Sequence, residues 1–196
     1  MAVQLVLATH NAHKVEELRR ILGHRLDGIE LLAYDGPEPI EDGVSFEANA
    51  LIKARAAAAH SGLPAIADDS GISVDALGGA PGIHSARYAG TGVDADNTAL
   101  LLKNLEGVDD RSARFVCAAA FITPDGVEEV VRADWAGSVL LDAVGGGGFG
   151  YDPVFKPAGL SVSCAELRPD EKDAISHRSQ AFGALLPLVR ERLLSH

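Results

Sequence analysis

The order of hydrophobic patterns over the first third of the chain constrains the fold most. Val3–Ala8 is a short apolar run containing β-branched residues, and such a run reads as a buried strand. After Thr9–Asn11, the residues Val15, Leu18 and Leu22 recur at helical spacing, with Asn11 placed to cap that helix and Gly23 to end it. Ile29–Ala33 predicts a second strand. The stretch YDGPEPIEDG carries prolines, glycines and acids without periodicity and predicts a loop. Ser45 then opens an alanine-rich helix to about His60, Gly62 and Pro64 stop it, and Ala65–Asp68 predicts a third strand. The chain therefore begins βαβαβ.

The middle of the chain has a different grammar. Asp94–Leu105 predicts a helix, whereas Ala113–Thr123 and Val127–Trp135 predict strands on either side of PDG, a turn-forming tripeptide, so this part is expected to be antiparallel. Ser138–Leu141 suggests a further strand, followed by the glycine-rich loop Gly145–Gly150. Ser176 opens a last helix toward Leu194, with Pro187 expected to kink or break it. No internal repeat and no linker divides the sequence. The expectation is an α/β fold: one domain over residues 1–196, built on a mixed sheet with flanking helices and folded into two lobes with a central cleft.

Composition excludes several classes. With 47% hydrophobic residues, 196 residues bury a substantial core. A net charge of -11 argues against a broad basic face for nucleic acid, so an anionic ligand has to be met by a few local cations. Cys117 and Cys164 have neither CxxC spacing nor the density of a disulfide scaffold, which fits a reducing cytoplasm. No apolar run reaches the ~18 residues of a membrane span, and no basic segment marks a signal peptide, so a soluble cytoplasmic protein is expected.

Five clusters bear on chemistry. THNAHK, covering Thr9, His10, Asn11, Ala12, His13 and Lys14, lies where a strand gives way to a helix. Free backbone N–H groups and the positive helix end favour a phosphate there, although a capped helix with a solvated lysine reads equally plainly. Lys53 borders the buried stripe of its helix, beside Asn49; it either meets an anion or snorkels to water. Asp68 and Asp69 end an apolar run, as acids do where sheets hold metals, and only one of them faces a cleft if the strand stays regular. DDSG is also turn chemistry. In GGGGFGYDP, Phe149, Gly150, Tyr151 and Asp152 combine a stacking face with a hydrogen-bonding carboxylate, as a nucleobase requires, or else form a mobile loop. In EKDAISHRSQ, Lys172, His177 and Arg178 group donors around a helix start, suiting an oxygen-rich ligand or a solvated face.

The ordered set THNAHK, FEANALIKA, IADDSGISVDALGGAPGIHSARYAG, GFGYDPVF and KDAISHR resembles the inosine triphosphate pyrophosphatase family, the XTP/dITP diphosphatases, over nearly the whole chain. The resemblance implies hydrolysis of the deaminated purine triphosphates ITP, dITP and XTP to the monophosphate and pyrophosphate with Mg²⁺, by a homodimer of elongated two-lobed α/β subunits. It assigns the phosphates to Thr9–Lys14 and Lys53, and the catalytic base or metal ligand to Asp69 beside Asp68. Ser70 would touch substrate, while Phe149–Asp152, Lys172, His177 and Arg178 would line the base and sugar end. Many relatives carry two adjacent acids where this chain has Ile40 and Glu41, so Glu41 is the expected loop ligand for Mg²⁺. His10 stands where glycine is frequent. A pyrophosphatase for other modified or pyrimidine triphosphates and a non-catalytic nucleotide sensor are the rival readings.

Overall fold

The computed structural model describes residues 2–194. The expected opening is present as strands β1 (Val3–Leu7), β2 (Ile29–Ala33) and β3 (Ala65–Val74), with helices α1 (Ala12–Leu22) and α2 (Phe46–Ser61) between them. β1 pairs in parallel with both β2 and β3. Parallel neighbours require such helical crossovers. The terminal signals act as read: Asn11 accepts the Lys14 N–H, Ser45 accepts the Ala48 N–H, and Gly62 closes α2 in the left-handed region at φ 68°.

The complete sheet has six strands in the order β2-β1-β3-β4-β5-β6, where β4 is Ser112–Ile122, β5 is Glu128–Val139 and β6 is Phe155–Pro157. The short turn between β4 and β5 can join neighbouring strands only antiparallel, and β5 pairs antiparallel with β6. The sheet is therefore mixed. Helices α3 (Asp94–Asn104), α4 (Pro169–Ile175) and α5 (His177–Leu194) complete the elements used below.

Three local expectations are corrected. The third strand does not end at Asp68 but runs on to Val74, so both aspartates lie in mid-strand. Ile72 and Val74 are fully buried, and a Cβ at Gly71 would collide with Ser85 Oγ, so core packing and close approach outweigh the turn tendency of DDSG. The two strands expected at Val127–Trp135 and Ser138–Leu141 are one strand, β5, because Gly137 admits the β6 backbone where a side chain would strike the Lys156 carbonyl. Finally, α5 continues through Pro187 without a break. Its neighbours Leu185, Leu186 and Val189 are buried, and this packing offsets the lost hydrogen bond.

The chain divides into two compact units. The first comprises the residues up to Asp69, Cys117–Ala133 and those from Arg178 on. Its core gathers Leu5, Leu18, Leu22, Ile66, Phe121, Phe182 and Leu185. The second comprises Ser70–Val116 and Asp134–His177, around Ile72, Leu101, Leu105, Phe115, Val154 and Phe155.

Candidate active site

In the first unit the site is built on the alternation of β3. Successive strand residues point to opposite faces, and the two aspartates meet different helices. Asp68, wholly buried, has Oδ2 3.0 Å from Lys14 Nζ of α1 and 3.3 Å from Arg178 Nε of α5. Arg178 also pairs with Glu17 of α1 and is itself buried. Asp69 turns to α2: Lys53 Nζ lies 3.3 Å from its Oδ1, and Asn49 Nδ2 donates to its Oδ2 at 3.2 Å. Lys53 Nζ is also 3.4 Å from Glu41 Oε1, in the loop before α2.

These neighbours give the adjacent carboxylates opposite protonation tendencies. Burial alone would raise both. For Asp68 it is overcome by Lys14 and Arg178, which hold the carboxyl far below the usual carboxylate range. For Asp69 burial prevails over Lys53 and Lys14, with the nearby Glu41 adding to it, and the carboxyl is pushed up. Lys53 is partly buried, which by itself would lower it, yet Asp69, Asp68 and Glu41 hold it above the ordinary lysine value.

Glu41 and Asp69 both bring an oxygen to the Lys53 ammonium, so a positive charge is already the common point of the two carboxylates. Asp68 Oδ1 is buried and has no hydrogen-bond partner among the described residues. Among those residues no three His, Cys, Asp or Glu side chains form a ready-made cage. Mg²⁺ is usually held by one or two carboxylates together with substrate phosphates and water, so this donor set fits it.

The segment expected from the sequence to bind phosphate lies at the junction from β1 to α1. Thr9 Oγ1 accepts the Asn11 N–H at 3.2 Å, and Asn11 Oδ1 accepts that of Lys14 at 3.2 Å. Ala12 is the first helical residue, and His13 is exposed. The His10 ring lies 5.3 Å from that of Tyr34.

In the second unit, the segment Phe149–Asp152 is pinned from several directions. Asp152 Oδ2 accepts the Phe149 N–H at 2.9 Å and lies 2.7 Å from Lys172 Nζ. That ammonium stands 5.0 Å from the Phe149 ring centroid, a cation–π contact. Asp94 at the start of α3 accepts the Gly150 N–H at 2.7 Å. The Tyr151 hydroxyl donates to the Ser85 carbonyl, and burial makes it a weaker acid than an ordinary phenol. His177 is buried and stacks on Phe115 with ring centroids 4.8 Å apart. Ser70 lies half-buried in β3.

Three residues outside the sequence-derived set hold these groups in place: Asn49 on Asp69, Glu17 on Arg178 and Asp94 on Gly150. Asn49 stands four residues before Lys53, hence on one helix face, which is a signal the sequence did carry. Glu17 and Asp94 depend on contacts 161 and 56 residues away, invisible to local pattern. Both cysteines are buried, and burial pushes the Cys117 thiol well up, so it is no ready nucleophile.

Comparison with known proteins carries the same pattern across the chain. Residues 5–188 match the Ham1 family. A protein of Leifsonia xyli named dITP/XTP pyrophosphatase is 53% identical over 191 residues, covering 96% of each chain. The structure of a HAM1 protein from Coxiella burnetii superposes with a TM-score of 0.87 at 40% identity, covering 96% of this chain and 99% of the other. That of a nucleoside-triphosphatase, dITP/XTP pyrophosphatase, from Mycobacterium abscessus gives 0.77 at 47% identity, covering 96% and 100%. A match of this extent and identity, on the sheet that carries both aspartates, makes this chain a member of the Ham1 family.

Proposed function

We propose that this chain is a single nucleoside triphosphate pyrophosphatase domain that hydrolyses the deaminated purine nucleotides ITP, dITP and XTP to the monophosphate and pyrophosphate, with Mg²⁺ as cofactor. The observation that carries the reading is the pair of neighbouring buried aspartates with different partners, Asp68 held as a carboxylate by Lys14 and Arg178, Asp69 set against Lys53 and Asn49 with its carboxyl shifted upward, and Glu41 at hand. The names of the relatives supply the substrate class.

Glu41 and Asp69 would hold Mg²⁺, which when bound supplies charge neutralisation at the phosphate oxygens. Lys14, Lys53 and the N–H groups at the start of α1 bind the triphosphate tail. Asp69 accepts a proton as a water oxygen bonds to the α-phosphorus. The bond from that phosphorus to the bridging oxygen breaks, and its electron pair leaves with pyrophosphate. Asp68 stays charged throughout and fixes Lys14. No covalent enzyme intermediate forms, and neither cysteine takes part. At the other end Phe149 stacks on the base, while Tyr151, Asp152, Lys172, His177 and Arg178 serve its polar edge and the sugar, and Ser70 touches substrate. A homodimer working in the cytoplasm goes with this reading, and light scattering on the purified protein reports the oligomeric state. Among the described residues no helix is long and apolar enough to cross a membrane.

The test is pyrophosphate release from ITP, dITP, XTP, GTP, ATP and dTTP. Donors aimed at the C6 carbonyl meet the amino group of ATP donor to donor, so ATP is expected to be poorer than ITP by roughly 10⁴-fold or more in kcat/KM. Asp69→Asn is expected to abolish release while leaving the circular dichroism spectrum unchanged. Equal use of ATP and ITP, or Asp69→Asn activity within threefold of wild type, overturns the assignment.

A further inference from the structure

Asn49 is fully buried and is used at both ends of its amide. Its Oδ1 accepts the Gly43 N–H at 2.9 Å, and its Nδ2 donates to Asp69 Oδ2 at 3.2 Å. Turning the amide over would set donor against donor and acceptor against acceptor, so the two contacts fix each other. Gly43 is two residues beyond Glu41 in the acidic loop. A Cβ there would lie 2.5 Å from Asn49 Oδ1 and 2.9 Å from the Ala48 Cβ, and Gly43 is not among the left-handed glycines. It is glycine for room.

Lys53, one helical turn further along α2, reaches the other oxygen of Asp69 and the carboxylate of Glu41. That hold is a charge interaction, and it competes with any second cation brought to the same two carboxylates. Asn49 carries no charge, so its directional bonds do not compete with a cation as an ammonium does. We infer that Asn49 is a positioning residue, a strut that ties the loop bearing Glu41 to Asp69 and keeps the two carboxylates set for a divalent cation. The inference rests on the reading above that Glu41 and Asp69 take the metal.

The experiment measures Mg²⁺ binding by calorimetry at a fixed concentration of α,β-methylene ITP, which cannot be cleaved, together with thermal denaturation. The variants are Asn49→Ala, Gly43→Ala and the double variant, with Glu41→Gln and Asp69→Asn as controls. Each single variant is expected to raise the half-saturating Mg²⁺ concentration about tenfold, the equivalent of one buried hydrogen bond. The double variant is expected to lose no more than the worse single one, since both cut one link. Gly43→Ala alters a loop and decides the matter if Asn49→Ala does not fold. A purely structural asparagine lowers the melting midpoint without moving Mg²⁺ affinity; that result, with both controls defective, overturns the inference. Controls that bind Mg²⁺ as well as wild type overturn the metal reading itself.

Discussion

Replacing Arg178 with methionine tests the electrostatic frame of the site. The guanidinium is 2% exposed, pairs with Glu17 and lies 3.3 Å from Asp68, whose side chain is wholly buried. Methionine keeps most of the apolar stem and removes the charge. Breaking a buried ion pair by deleting one partner costs about 3–5 kcal/mol, because the charge left behind has no water to return to. Lys14 remains on Asp68, which places the expected loss near the lower bound, about 3 kcal/mol. For a chain of this length that is a fall in melting midpoint of roughly 6–12 °C. Lys14→Met is the comparison, since 14% of that side chain already meets solvent, and its loss is expected to be smaller.

The pH dependence of the gap carries the sharper sign. In the wild type, Asp68 is held far below its unfolded value, so its contribution to stability is present above about pH 4 and is lost as pH falls through the folded value. Without Arg178 the folded value rises toward the unfolded one, and the variant has less to lose. Urea denaturation of the two proteins is therefore expected to show a gap that is widest near pH 7 and narrows as pH falls below about 4. A loss no greater than that of Lys14→Met, or a gap that widens as pH falls, refutes the argument.

Lys14→Ala and Lys53→Ala are expected to weaken binding of α,β-methylene ITP far more than binding of IMP, because both cations are assigned to the departing pyrophosphate; equal losses measured by calorimetry place them elsewhere. Phe149→Ala is expected to cost roughly 1–3 kcal/mol of base stacking, a rise of about 5- to 150-fold in the KM for ITP, with pyrophosphate binding unchanged.

The fold was legible wherever a local rule had no competitor. Asn11, Gly23, Ser45 and Gly62 bound α1 and α2 where their chemistry says helices start and stop. The rule failed where tertiary packing outbid it. DDSG has good turn residues, but Ile72 and Val74 gain burial only if the strand continues, and Gly71 lets Ser85 close over it. Gly137 reads in isolation as a strand breaker, whereas its missing side chain is what lets β6 pair. Pro187 sits on the exposed side of α5, flanked by residues whose burial carries the helix past it.

For the site, the sequence named the groups but not their partners, and the partners decide the chemistry. Adjacent aspartates look equivalent in a string of letters. On a strand they must diverge, and each then takes its character from whichever helix covers its face: two cations on Asp68, a lysine and a neutral amide on Asp69. The same divergence separates their tendencies toward protons: two ion pairs hold Asp68 charged, whereas at Asp69 burial outweighs Lys53 and Lys14, which is what the proposed role of Asp69 as proton acceptor draws on. Arg178 shows the converse, for its place beside His177 in sequence suggested a shared duty, yet its guanidinium is committed to Asp68 and Glu17. A variant that removes Arg178 therefore acts through Asp68 on Lys14, which shares the same carboxylate oxygen.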